Sequence, residues 1–61
     1  MTSLIIDDEK QARIAIRSLL ESDFRDLMIV AEADGVQAAV SAIDTHKPDL
    51  IFLDINLGDG T

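Results

Sequence analysis

Large apolar residues along this chain follow two alternating rhythms. Leu4-Ile5-Ile6 and Leu50-Ile51-Phe52-Leu53 are unbroken apolar runs, and runs without alternation predict strands buried on both faces, as in parallel sheets. From about residue 9 to 22 the period changes to that of a helix, with Ala12, Ile16, Leu19 and Leu20, then Asp23 or Phe24, on one face. Glu9, Lys10, Arg13, Arg17 and Glu21 fall on a charged face, and Gln11, Ile14, Ala15 and Ser18 form a third stripe between them. Ile14 points away from Ile16 and should be exposed, which makes this stripe a candidate partner contact.

Leu27 to Ala33 predicts a second strand, less continuously apolar and closed by Glu32, as suits a sheet edge. Asp34 is a candidate N-cap with Gln37 at the N3 position of a capping box. The helix that follows, from about 35 to 46, should turn Val36, Ala39, Val40 and Ile43 toward the sheet. His46 and Lys47 suit the negative end of its dipole, and Pro48 prevents its continuation. Two right-handed βαβ crossovers then give strand order 2-1-3, part of an α/β flavodoxin-like parallel sheet. The third strand is the most apolar of the three and keeps one edge without a partner, so the chain should self-associate there or continue past Thr61.

With 61 residues the chain makes at most one small domain, and with no cysteine it has neither disulfides nor thiolate metal sites. The longest apolar runs fall far short of a membrane span of about 18 residues. A formal charge of −7 argues against direct nucleic-acid contact by this segment and suits a cation site. The expected setting is cytoplasmic.

Both apolar runs stop on acid: the first strand on Asp7 and Asp8, the third on Asp54. Parallel neighbouring strands lie about 4.8 Å apart, and their carboxyl ends form the edge where open α/β sheets hold ligands. Two carboxylates at ~4 Å repel by roughly 4 kcal/mol at an effective dielectric of 20. Such a cluster raises a pKa or holds a cation, and hard oxygen donors suit Mg²⁺. The plainer alternative has Asp8 capping the first helix, with Gln11 at N3, and Asp7 and Asp54 as solvated strand ends.

Asp7-Asp8-Glu9, the Ala12-Arg13 pair, Glu32-Ala33-Asp34-Gly35 and the run Pro48 to Leu57 together resemble the N-terminal half of a response-regulator receiver domain. Leu53-Asp54-Ile55-Asn56-Leu57 with Gly58-Asp59-Gly60-Thr61 resembles receivers of the LytTR class. The resemblance implies a two-component phosphoacceptor rather than an enzyme, one that at most promotes its own phosphorylation and dephosphorylation. Asp54 would take the phosphoryl group from a sensor histidine kinase. The metal set would be Asp8 as a direct Mg²⁺ ligand, Asp7 nearby or acting through water, Asp54 itself, and the backbone carbonyl of Asn56. Residues 1–61 would form the first half of the domain, because the family's later Ser or Thr and its Lys would lie beyond Thr61. Thr61 is not that hydroxyl. The Met-Pro that many receivers carry after the phosphorylated strand is replaced here by Leu57-Gly58-Asp59-Gly60.

Three other readings compete. One is a receiver fragment that cannot be phosphorylated and forms a homodimer through its open third strand. Another is a Mg²⁺-dependent phosphohydrolase with an aspartyl nucleophile, but the place of its second Asp is taken by Asn56. The last is a calcium loop starting at Asp54, which wants glycine at its sixth position, where Asp59 stands.

Overall fold

The computed structural model describes residues 1–53. Five elements follow in order: β1 (Thr2–Ile6), α1 (Lys10–Asp23), β2 (Met28–Ala33), α2 (Val36–His46) and β3 (Leu50–Leu53). The strands form one parallel sheet in the order β2-β1-β3, the half flavodoxin-like arrangement that the rhythm predicts.

The central strand holds the core. Leu4, Ile5 and Ile6 are buried, and each such side chain removed from water contributes about 2 kcal/mol. Side chains alternate across a sheet, so Leu4 and Ile6 point to one face, where they cluster with Ala33 and Ala39 and are flanked by Ala31 and Ala42. Ser3 and Ile5 point to the other face, together with their β3 register partners Leu50 and Phe52. Leu50, Phe52 and Leu20 of α1 line a groove on that side, so α1 and α2 lie on opposite faces.

Several expectations need correction. The third run is not buried on both faces: Leu50, Ile51 and Leu53 are 39–53% exposed. Among the described residues β3 pairs only with β1, and α2 rests chiefly on β2 and β1. Val36, Val40 and Ile43 are exposed rather than turned inward. The small side chains of Ala39 and Ala42 meet the sheet instead, letting the helix lie close to Ala31 and Ala33. Leu19 is also exposed, because α1 buries only its neighbour Leu20. Ile14 is exposed, as its place on the wheel requires.

The caps differ as well. Glu9 and Gly35 are the N-caps of α1 and α2, and neither makes a side-chain cap bond. Asp34 therefore stands one residue too early to cap α2, and Gln37 falls at N2 instead of N3. Asp8 likewise precedes the cap of α1.

Two features tie the amino end of the sheet. Asp49 Oδ2 accepts from the Thr2 backbone N–H at 2.9 Å and from the Thr2 hydroxyl at 3.2 Å. The Asp49 N–H donates back to the Thr2 carbonyl at 3.0 Å. At the end of α2, Lys47 adopts a left-handed conformation (φ 46°, ψ 58°) while its N–H closes on the Ile43 carbonyl at 2.8 Å. Glycine is the usual residue there, because a Cβ makes that conformation costly.

Two outcomes follow for stability. Replacing Lys47→Gly should stabilise the fold by about 0.5–1 kcal/mol, read as a higher urea midpoint with an unchanged slope. The Thr2 backbone N–H, and then its hydroxyl, hold the Asp49 carboxyl below its ordinary value of 3.8. A carboxyl depressed in the folded state gives a contribution that is complete above the unfolded value and is lost as pH falls through the folded one. Urea melts should therefore show the unmutated chain more stable than Asp49→Asn at neutral pH, with the gap closing below about pH 4.

Candidate functional site

At the carboxyl end of β1 the backbone and side chain of Asp7 are held from three directions. Its N–H donates to the Ala33 carbonyl at 3.0 Å, extending the β1–β2 ladder one residue past the strand. Its carbonyl accepts from Arg13 Nη1 at 2.7 Å. Its carboxylate accepts from the Glu9 N–H at 2.9 Å, which turns the chain into α1. Asp7 is only 2% exposed, so burying its carboxylate is tolerable because a donor meets it. Asp8, the next residue, is exposed. One acid is thus anchored and the other is free to meet a ligand.

The anchoring depends on an irregularity in β2. The register runs Ser3↔Ile29 and then Leu4↔Ala31, so Val30 is an extra residue opposite β1. A one-residue shift reverses which face each later side chain occupies. Here it turns Ala31 and Ala33 toward the α2 core and leaves Glu32 beside Ile5, on the face that α1 covers. Glu32 then meets two arginines one helical turn apart. Arg13 Nε lies 3.4 Å from Oε1, and Arg17 Nε donates to Oε2. Glu32, and then Glu21 at 3.2 Å from Arg17 Nη1, hold the Arg17 guanidinium above its ordinary value against partial desolvation. Residue pattern puts Arg13 and Arg17 on one charged face of α1 and gives no sign of this bracket. Their four-residue spacing announces a shared face, but nothing local announces the bulge that brings Glu32 to it.

The two acid-ended strands are level. Ile6 of β1 is the register partner of Leu53 of β3, and in sequence Asp7 follows the first and Asp54 the second. Asp54 and Asn56 lie outside the described residues. Among the described residues no three His, Cys, Asp or Glu side chains gather as a metal site. The carboxylates of Asp7 and Asp8 are hard oxygens, the donor chemistry that suits a cation such as Mg²⁺. A groove of about 480 Å³ reaches Asp7 past Leu20, Phe52 and Leu53. A second groove, of about 660 Å³, lies at the C-terminal end of α1 against Leu50 and Phe52, and Asp7 and Asp8 do not line it.

Residues 3–61 match the family model of the response regulator receiver domain, and the chain belongs to that family. Receiver domains are signalling modules phosphorylated by histidine kinases, and they generally bind Mg²⁺ at the phosphorylation site.

Among curated relatives, the chain is 48% identical over 59 residues to the sensory transduction protein LytT of Enterococcus faecalis, covering 97% of this chain and 24% of that protein. It is 43% identical over 56 residues to LytT of Bacillus anthracis, covering 92% of this chain and 22% of that protein. It is 44% identical over 57 residues to the KDP operon transcriptional regulatory protein KdpE of Escherichia coli, covering 93% and 24%. The chain therefore spans about a quarter or less of these relatives. No helix among the described residues is long and apolar enough to cross a membrane.

Proposed function

We propose that this chain is the phosphoacceptor portion of a two-component response regulator, with Asp54 receiving the phosphoryl group. The observation that carries this reading is the level register of Ile6 with Leu53, the residues just before Asp7 and Asp54. It is supported by the family match across residues 3–61. In the reaction a carboxylate oxygen of Asp54 attacks the phosphorus of a kinase phosphohistidine. A P–O bond forms, the P–N bond breaks, and the imidazole leaves with the electron pair. Mg²⁺, when bound, supplies positive charge that offsets the negative charge on the transferring phosphoryl group. Asp8 would hold it directly and Asp7 nearby or through water, with Asp54 itself and the Asn56 backbone carbonyl as the remaining protein donors. Asp7 also fixes the turn from which Asp8 projects.

Intact mass measured before and after incubation with Mg²⁺ and acetyl phosphate tests this reading. The expected result is a gain of one phosphoryl group that disappears in Asp54→Asn and when Mg²⁺ is withheld. A gain that survives Asp54→Asn, or no gain in the unmutated chain, would contradict it.

The exposed apolar side chains of β3 favour a second reading, in which two copies pair along that strand. Sedimentation should then show a dimer that dissociates when Ile51→Lys places charge on the strand. A monomer at high micromolar concentration would rule this pairing out.

A further inference from the structure

We propose that Arg13 is a positioning residue for the acidic turn, holding the Asp7–Asp8 peptide in the orientation from which Asp8 meets a divalent cation. This rests on the phosphoacceptor reading for its purpose, while the geometry behind it is independent of that reading. Arg13 Nη1 donates to the Asp7 carbonyl at 2.7 Å, and that carbonyl belongs to the peptide leading into Asp8. The opposite side of Asp7 is fixed by its N–H on Ala33 at 3.0 Å. A peptide unit is planar, so fixing its carbonyl direction also fixes the direction of the Asp8 N–H and the position of the Asp8 Cα, from which its side chain departs.

The guanidinium is itself held in place. Its Nε faces Glu32 Oε1 at 3.4 Å, and the other oxygen of Glu32 is taken by Arg17. Arg13 therefore joins three elements: the end of β1, the first turns of α1 and the C-terminal end of β2 beyond the bulge. A planar fork with donors in two directions suits this task, whereas a lysine offers one compact head. Arg13 is half-buried, so its contacts are less exposed to competition from water than those of a surface ion pair. Its charge also lies beside the turn that carries Asp7, Asp8 and Glu9, where it lowers the repulsion among them before any cation arrives.

Arg17 is the natural control. It lies on the same helix and holds the same Glu32, but its bonds go to Glu32 and Glu21 and not to Asp7. Groups that orient metal ligands from behind typically change metal affinity by about tenfold or more when removed. In metal-free chain, Arg13→Ala should shift the backbone amide resonances of Asp8 and Glu9, while Arg17→Ala leaves them in place. Titration with Mg²⁺ alone, followed on the same resonances, should show affinity falling about tenfold in Arg13→Ala and less than about twofold in Arg17→Ala. Arg13→Lys should recover only part of the loss, and it carries the same test if Arg13→Ala does not fold.

Unmoved Asp8 and Glu9 resonances in Arg13→Ala would overturn the proposal. Equal losses of affinity in the two alanine variants, or full recovery with lysine, would do so too, since either makes the effect one of general charge. Absence of any Mg²⁺ response in the unmutated chain would count against the phosphoacceptor reading instead, and the metal-free resonances would still decide the role of Arg13.

Discussion

The Asp7 carboxylate is withdrawn from water and satisfied within its own turn by the Glu9 N–H, while its peptide is gripped by Ala33 on one side and Arg13 on the other. The rest of the carboxyl edge follows from that arrangement. A buried acid without a donor would cost more than a domain of this size tolerates, so the turn into α1 must take the shape that supplies one. That shape sets where Asp8 emerges and the angle at which α1 leaves the sheet. The chain thereby gains one fixed carboxylate and one accessible one from two adjacent residues.

The sheet supplies the frame for this turn. β1 lies in the middle, buried by both helices, and its register with β3 ends level at Ile6 and Leu53. On the other side the bulge at Val30 sorts β2 into two functions. Its alanines pack under α2, and its one acid of that segment, Glu32, faces the arginines of α1. Packing on one face and electrostatic bracing on the other are both set by a single extra residue.

Element order and topology were legible because the two apolar runs, the helical stripes and Pro48 leave little alternative to a βαβαβ chain. The family was legible because acids at the ends of two strands make an unusual pattern, and the flanking residues repeat the receiver motif. Burial was less legible. Leu50 to Leu53 reads as a core strand, yet among the described residues it pairs with β1 alone and α2 rests on β2 and β1, which leaves it half open. Val36, Val40 and Ile43 outrank Ala39 in hydrophobicity, but the close approach of α2 to the alanines of β2 favours the smaller side chain. The bracket of Arg13, Glu32 and Arg17 is a long-range product of register, and local spacing carries no sign of it. Asp7 reads from the sequence as an acid of the site, but the bond its carboxylate accepts from the Glu9 N–H does not, since a cap on α1 is suggested only for Asp8, as the plainer alternative.

The central claim is that the acids ending β1 and β3 converge on one cation. Paramagnetic broadening of backbone amides by substoichiometric Mn²⁺ tests this most directly. The account predicts broadening confined to Asp7, Asp8 and Glu9 together with residues 54–56, and its displacement by excess Mg²⁺. Broadening spread over the other exposed acids, such as Glu21, Asp26 and Asp44, would show that the charge of the chain attracts cations without a site at the sheet edge.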